Sequence, residues 1–447
     1  MNTVLRKALC VAAAAVMGVT CLSACGSSSA SDSKGRVYYL NRKAEELDTW
    51  VKLGKQFEKE TGIPVEVQGG ADYDAALRSQ LSKKKAPTIF TIDGPGMLES
   101  WKKYEADLSN AAVYKQLKDN YKGNALANAD GKPVAVPFAV ESYGLIYNKA
   151  LLNKYFESSW ATVKSIDELN NFKALKTAAD EIQEHKDDIG VKGAFSSAGL
   201  ESSGTFRYYF HMPAIPLFYE LRDRDLSLTE VAPNIEGTYV KDDLKNLYDL
   251  YLTDSTVDPK TLPGRTLDES LAEFATGQAV FLQNGVWCWN QIKDQSVAAE
   301  DVGVLPIYIG VEGEEEQGLT QVMSNYWCVN SQVSEADQKA SAQFLEWLIT
   351  SDDAKKAITE DMGLVTPFKT FDENKYKVDN PLVEANREAQ AAGKYDTSTV
   401  FTPSHAWEEA LTSALINYTQ DTGDWNDVTK VFTDKWAEEY KLNYQKD

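Results

Sequence analysis

The sequence has very little histidine. Only three occur in 447 residues, His185, His211 and His405, and they are far apart, with no HExxH or His/Cys spacing. A transition-metal site is therefore not expected, because its ligands need short and regular spacing. The chain also lacks the GxSxG elbow of serine hydrolases and the phosphate-binding P-loop. We expect no cofactor and no catalytic residues.

Positive charge is also scarce. Lys and Arg number 46 against 67 Asp and Glu, which gives a net charge of -21. We expect no nucleic-acid partner, since phosphate binding needs clustered basic side chains. An excess of carboxylates is typical of the solvated surface of a soluble protein. We interpret the acidic run at residues 312–316 in the same way, as a solvated loop.

Apolar runs of any length are confined to the start of the chain. A basic pair precedes an alanine-rich run over residues 8–19, which is too short to span a bilayer and is followed by Leu22-Ser23-Ala24-Cys25. These features in this order are typical of an export signal. The last four residues resemble the bacterial lipobox, whose cysteine is acylated. We expect a lipoprotein signal peptide over 1–24, a lipid (palmitate) on Cys25 and a flexible tether over 25–35; the alternative is an ordinary signal peptide with an incidental cysteine.

The chain has five cysteines, and three of them would remain after removal of the signal peptide. Besides Cys25 these are Cys288 and Cys328. An even number of cysteines in an exported protein favours a Cys288–Cys328 disulfide. Two buried free thiols are the alternative, because the sequence does not show whether the two Cα atoms come within reach.

The region from residue 36 to residue 447 is longer than one hydrophobic core usually supports, so we expect two domains. Its beginning alternates strand and helix. The runs 37–40 and 88–92 and the alternation at 63–67 predict strands, with helical spacing between them. This βαβαβ order predicts an α/β fold with a mostly parallel sheet, whose ligand crevice lies at the carboxyl ends of the strands. The loops 41–43, 68–71 and 93–96 then share one edge.

Later segments carry a family resemblance. Residues 132–149 resemble a "GKxxAvPxaveSxgLiYNK" crossing, and 277–287 resemble a "GkaAMxxxGxW" segment. Residues 301–306, and 326–348 with a later segment from Gly363 to Pro367, follow in the same order. Together they resemble the family 1 extracellular solute-binding proteins of bacterial ABC importers, which include maltose-binding protein and oligosaccharide-binding lipoproteins of Gram-positive bacteria. Residues 331–337 and Met323-Ser324 depart from the pattern of the family.

The resemblance implies a periplasmic-binding-protein-like fold, in which hinge crossings join two discontinuous α/β lobes and a sugar is held in the cleft between them. The expected boundaries are 36–139 plus 303–327 for the first lobe and 140–302 plus 328–447 for the second. It further implies a monomer, lipid-anchored on the outer face of the cell membrane, that delivers an oligosaccharide to the permease subunits of the importer.

The resemblance also implies candidate ligand residues. Trp287 matches a tryptophan that stacks on sugar, with a core tryptophan as the alternative. Glu141 matches a glutamate that faces the sugar, with a structural ion pair at the hinge as the alternative. Asp93 matches an aspartate that binds sugar hydroxyls, with a helix N-cap as the alternative. The further candidates lie in loops or at strand ends beside these and are Asn41, Tyr143, Asn284 and Asn325.

Two other functions stay open on the sequence. A binding protein for a peptide or another small solute would differ only in its ligand. A secreted glycoside hydrolase would need a specific pair of carboxylates. With 67 acidic residues some pair is expected by chance, so the sequence contains no specific support for that reaction.

Overall fold

The computed structural model describes residues 34–70, 73–323 and 325–445. Cys25, the expected signal peptide and most of the expected tether lie outside these residues. Within the described part of the chain, no helix combines the length and the apolar character needed to cross a membrane.

Strands and helices alternate along the chain. The strands are β1 (Val37–Asn41), β2 (Val65–Gly69), β3 (Ile89–Ile92), β4 (Leu126–Ala127), β5 (Pro133–Pro137), β6 (Glu141–Asn148), β7 (Gly193–Phe195), β8 (Ala279–Gly285), β9 (Val302–Leu305), β10 (Gln317–Val322), β11 (Tyr326–Val329) and β12 (Tyr395–Ser398). The helices are α1 (Leu47–Thr61), α2 (Tyr73–Leu81), α3 (Pro95–Trp101), α4 (Ala112–Lys115), α5 (Lys149–Glu157), α6 (Phe172–Glu184), α7 (Lys186–Ile189), α8 (Met212–Asp223), α9 (Lys245–Thr253), α10 (Leu267–Ala275), α11 (Trp289–Ile292), α12 (Glu335–Thr350), α13 (Asp352–Lys356), α14 (Pro381–Ala391), α15 (His405–Thr419), α16 (Trp425–Lys430) and α17 (Trp436–Tyr444).

The first sheet begins with the predicted βαβαβ unit. Its strand order is β2-β1-β3-β11-β5-β4, and β1 lies parallel to both β2 and β3. Helix α1 covers this sheet because Trp50, Leu53 and Phe57 recur at helical spacing and are all buried. The helix ends at Gly62, which takes the left-handed conformation that glycine adopts without strain. The predicted α/β fold class is confirmed.

The second sheet has the order β12-β10-β6-β8-β7, and β9 pairs with β6 off this path. Here the structure corrects the expected lobe boundaries. Residues 303–322 were assigned to the first lobe, yet β9 and β10 both pair with β6 of the second sheet. Conversely, β11 is a strand of the first sheet, and α12 packs on the first core, where the rings of Phe344 and Phe57 lie 5.1 Å apart.

Each sheet has its own hydrophobic core. The core of the first sheet is formed by buried residues within 37–139 and 326–376. The core of the second sheet is formed by buried residues within 143–322 and 382–436. The chain passes between the two sheets at residues 138–140, 323–325 and 377–380. These three short crossings hold the two sheets side by side.

The expected disulfide does not form. Cys288 and Cys328 are both free and buried. Cys328 lies on β11 in the first sheet, whereas Cys288 follows β8 in the second sheet and packs in a different hydrophobic cluster. Even parity predicted the bond, but parity carries no information about distance. Burial raises the pKa of the Cys288 thiol to about 12, so it is protonated and unreactive at neutral pH.

The acidic run at 312–316 is not entirely a solvated loop. Glu314 is buried, and its carboxylate accepts hydrogen bonds from the backbone N–H groups of Phe172, Ile309 and Gly310 at 2.7, 2.9 and 2.9 Å. Burial still raises the pKa of Glu314 above its ordinary value. The interpretation was wrong at this residue because charge density alone does not show which acid has backbone donors within reach.

Candidate ligand-binding site

Polar side chains follow β1 and β3 at the same edge of the first sheet, as the parallel strands predict. Arg42, directly after β1, places Nη1 2.8 Å from Asp93 Oδ2 and 3.8 Å from Asp74 Oδ1. The Asp93 carboxylate remains about one third exposed. The alternative role of Asp93 as a helix N-cap is not observed, since Gly94 holds that position at α3. Asp93 is therefore an accessible carboxylate at the crevice edge, steadied by Arg42.

Asn41 shapes the turn after β1. Its side chain is fully buried, its Oδ1 accepts from the backbone N–H of Lys43 at 3.2 Å and from the Tyr39 hydroxyl at 3.2 Å, and its Nδ2 donates to the Lys43 carbonyl at 2.6 Å. These bonds commit Asn41 to holding the backbone of Lys43. The geometry gives Asn41 a positioning role at the candidate site.

Lys43 is the centre of a buried charged cluster that joins the two sheets. Its Nζ lies 3.1 and 3.3 Å from the two carboxylate oxygens of Glu141, and 2.8 Å from Glu45. Asn325 Nδ2 donates to Glu141 Oε2 at 3.1 Å. Burial lowers the pKa of Lys43, but the neighbouring carboxylates outweigh burial and raise it, so the ammonium stays charged. Glu141 therefore forms an ion pair at the hinge, which was the alternative considered for it, and its contact with a ligand stays a prediction.

Trp287 lies directly after β8 and beside this cluster. Its ring lies against Gly285, where a Cβ would run into the ring atoms, so only glycine fits at that position. Lys43 Nζ lies 5.5 Å from the ring centroid, and the ring of His211 meets it edge-on at 5.4 Å. The indole is partly buried and packs on the clusters of the second sheet. Trp287 thus belongs to the second sheet and contacts a residue of the first.

Behind the Trp287 ring, His211 packs between Trp287 and Tyr143. The rings of Tyr143 and His211 stack 4.0 Å apart at 13°, and the Tyr143 hydroxyl donates to the His211 carbonyl at 3.2 Å. Burial, with Arg207 nearby, lowers the pKa of His211 to about 3, so the imidazole is neutral. Tyr143 is fully buried, which places it behind the site. His211 was not predicted at this site, because the sequence analysis considered it only as a metal ligand.

Several buried polar atoms near this packing have no partner among the described residues. The Asn284 Oδ1 accepts from the Gly285 N–H at 2.8 Å, but its Nδ2 is unpaired. His211 Nδ1, Gln283 Oε1 and Arg207 Nη2 are likewise unpaired. Buried polar groups usually have a partner, so these four atoms are exceptions among the described residues.

The first sheet also meets the second beyond Asp93. A Cβ at Gly94 would lie 3.1 Å from the Phe401 ring. Burial is the main cause that raises the pKa of Asp93, and Arg42 lowers it. The carboxylate of Glu408, from the second sheet, raises it further. Polar and aromatic groups from both sheets therefore line one junction. Sequence reasoning placed Arg42 and Lys43 at this edge only as part of loop 41–43 and missed Phe401, because packing alone brings the three side chains together.

Glu46 adds a pH dependence to this junction. It is buried, and burial raises its pKa to about 8 despite the nearby Lys43. An acid with a raised pKa stabilises the fold below its ordinary pKa of about 4.5, and this stability is lost as the pH rises toward 8. We expect Glu46→Gln to raise the free energy of unfolding by about 1 to 3 kcal/mol near pH 9 and to change it little near pH 4.

Urea unfolding as a function of pH measures this effect. The exposed Glu312→Gln variant is the matched control, since it makes the same chemical change on the surface. Equal pH profiles for Glu46→Gln and the parent protein would show that Glu46 ionises normally.

The chain matches known proteins over most of its length. A family model described as "Bacterial extracellular solute-binding protein" matches residues 52–385. A multiple sugar-binding protein of Streptococcus mutans is 27% identical over 292 residues, which are 63% of this chain and 65% of that protein. The melibiose/raffinose/stachyose-binding protein MelE of Bacillus subtilis is 29% identical over 205 residues, 45% of this chain and 44% of that protein. The matched stretches thus span less than two thirds of these relatives.

Solved structures show a similar fold. A chitin oligosaccharide binding protein aligns with a TM-score of 0.69 at 19% identity and covers 91% of this chain and 98% of its own. RafE in complex with raffinose aligns with a TM-score of 0.66 at 18% identity and covers 91% of this chain and 99% of its own. The two sheets of this chain, each with its own core, are the two lobes of this fold.

Proposed function

This chain belongs to the bacterial extracellular solute-binding proteins, and on that premise we propose that it binds a carbohydrate between its lobes and delivers it to an ABC importer. The observation that carries the proposal is the place of Trp287, a partly buried ring at the junction of the two lobes, beside the charged group of Lys43 and Glu141. Sugars present apolar C–H faces and a rim of hydroxyls, so they suit an aromatic ring flanked by carboxylates and amides.

The sugar-binding names of the two curated relatives support the same substrate class. Within that class an oligosaccharide is favoured, because the name of the MelE relative lists melibiose, raffinose and stachyose. The chain itself performs no chemistry under this proposal. ATP hydrolysis and membrane passage belong to other subunits of the importer.

Binding is proposed to act through closure of the lobes. We divide the lobes at the crossings, with residues 34–137 and 326–376 in the first and 141–322 and 381–445 in the second. A sugar that contacts Asp93 from the first lobe and Trp287 from the second stabilises only the closed arrangement. It therefore shifts an open–closed equilibrium, as expected when a ligand binds one state better than the other. In this structure the lobes lie close together beside Asp93, where a Cβ at Gly94 would be 3.1 Å from the Phe401 ring.

A panel of oligosaccharides tests the substrate class. A ligand that binds only the folded protein at about 100 times its Kd adds about 2.7 kcal/mol of stability, which a thermal-shift assay detects. We expect one or more neutral oligosaccharides to raise the Tm, with peptides as the comparison set. A shift with peptides alone would assign the protein to peptide binding, and release of shorter sugars would make it a hydrolase.

We also propose that Cys25 carries a lipid that holds the protein on the outer face of the membrane. The motif Leu22-Ser23-Ala24-Cys25 supports this. Cys25→Ala is expected to release the protein into the medium or leave it unprocessed, because the acyl chains have no attachment point. Fractionation of cells measures the outcome, and Cys10→Ala in the apolar run is the matched control. Equal membrane retention of the Cys25→Ala variant and the parent protein would contradict lipid anchoring.

A further inference from the structure

A polar groove lies on the first lobe, away from the junction of the two lobes. It has a volume of about 450 Å³, and its lining includes Arg36, Lys83, Lys84, Lys103, Asn330 and Gln332. Arg36 precedes β1, the two neighbouring lysines precede β3, and Asn330 follows the antiparallel strand β11. All of these positions belong to the amino edge of the parallel strands. The candidate ligand site lies at the opposite, carboxyl edge.

The groove is positively charged in a protein of net charge -21. Its lining contains four cationic side chains and one carboxylate, that of Asp337. Asp337 is already engaged, since it accepts from the Arg36 backbone N–H at 2.8 Å and pairs with its guanidinium at 4.0 Å.

The lysines of the groove remain available to bind an anion. Lys83, Lys84 and Lys103 are exposed, and none of them forms an ion pair with another described residue. Lys85, next in sequence, is also exposed and unpaired within the described ranges. Four lysines on one edge, without carboxylate partners, create a local positive potential that attracts anions.

The path of the chain brings this edge close to the proposed anchor. Lys34 is the first described residue, two positions before Arg36, and its Nζ donates to the Thr61 carbonyl at 2.9 Å. The chain therefore joins the fold at the same edge as the groove. Cys25 precedes Lys34 by nine residues, which span at most about 32 Å when fully extended. A lipid on Cys25 keeps the groove within that distance of the bilayer.

We propose that this lysine groove binds the anionic head groups of phospholipids in the membrane that carries the anchor. The inference rests on the proposed lipidation of Cys25. Each basic side chain near an anionic membrane surface contributes roughly a fivefold preference, the equivalent of about 1 kcal/mol. The docked protein presents its amino edge to the membrane and its ligand site to the surroundings. Because Debye screening shortens the reach of surface charges, the contact weakens as salt is added.

Lysine labelling of the full chain, anchored in vesicles, tests this orientation. One set of vesicles is phosphatidylcholine, and in the other about a third is replaced by phosphatidylglycerol. A neutral acylating reagent labels exposed lysines, and mass spectrometry follows Lys83, Lys84 and Lys103, with the exposed Lys241 of the second lobe as internal reference. We expect the three groove lysines to react at least about threefold more slowly on the anionic vesicles, and Lys241 to react equally on both.

Charge reversal identifies the groove as the cause. In the Lys83→Glu/Lys84→Glu variant, Lys103 is expected to react at the same rate on both kinds of vesicle. The control Lys241→Glu/Lys377→Glu makes the same change of charge at two exposed lysines elsewhere, and it should keep the protection of Lys103. Equal labelling of the groove lysines of the parent protein on both vesicles, or protection that survives the groove substitutions, would overturn the proposal.

The same preparation separates this inference from the proposed function. If the parent protein does not float with neutral vesicles, the lipid anchor is absent and the docking proposal fails with it. Sugar binding is measured independently by calorimetry, and the groove variant is expected to bind the cognate sugar as the parent protein does, since the groove is at the edge opposite the site.

Discussion

Trp287→Ala is expected to weaken binding of the cognate oligosaccharide by about thirtyfold to a thousandfold, or roughly 2 to 4 kcal/mol. The ring lies at the junction of the lobes, against Gly285 and 5.5 Å from Lys43 Nζ, and it is partly exposed, so a sugar face can stack on it. Truncation removes this platform and leaves hydroxyl contacts that orient a sugar but bury little apolar area. Calorimetric titration of the folded variant measures the loss.

Trp160→Ala is the matched control. Trp160 is also partly buried in the second lobe and also packs on a histidine, His185, with ring centroids 4.1 Å apart. It lies away from the junction, so its loss should lower stability but leave the affinity of the folded protein unchanged. If Trp287→Ala behaved like Trp160→Ala, Trp287 would be a core residue, and the stacking role would be wrong.

Lys43→Met is expected to destabilise the protein by about 3 to 5 kcal/mol, the usual result of removing one partner of a buried ion pair. The substitution leaves the carboxylates of Glu45 and Glu141 together without their cation. Repulsion and burial then act in the same direction. Urea unfolding measures the loss, which should shrink at low pH as these carboxylates become protonated.

The double variant Lys43→Met/Glu141→Gln separates charge from packing. It removes the unpaired charge on Glu141 and keeps the side-chain shape, so we expect it to recover much of the lost stability. Lys176→Met breaks an exposed pair with Asp180 and serves as the surface control, where little change is expected. Similar stabilities for Lys43→Met and Lys176→Met would show that the Lys43 cluster is well solvated.

The elements of the first lobe were largely predictable from the sequence. The runs at 37–40 and 88–92 were predicted as strands and correspond to β1 and β3, and the alternation at 63–67 correctly indicated β2. Periodicity succeeds there because each strand or helix is buried on one face by its own residues. The shared edge of Asn41 and Asp93 followed from the parallel order of β1 and β3.

The assignment of strands to sheets was less predictable. Residues 303–327 were expected in the first lobe, but β9 joins β6 of the second sheet. A short apolar run predicts a strand without indicating its neighbour, because backbone hydrogen bonds are alike in every sheet. The same limit explains why the predicted Cys288–Cys328 disulfide was wrong. The sequence around each cysteine does not indicate which sheet that cysteine joins.

By itself, the sequence determined the α/β fold class, the family and the residue types available for ligand binding, since these depend on local patterns and on motifs. The tertiary structure alone decided their partners. It paired Lys43 with Glu141, 98 residues apart, buried Tyr143 behind His211, and left Trp287 and Asp93 partly exposed at the junction. Burial and charge pairing depend on atoms that folding brings together from distant parts of the chain. A local sequence pattern does not show which distant residues will be in contact.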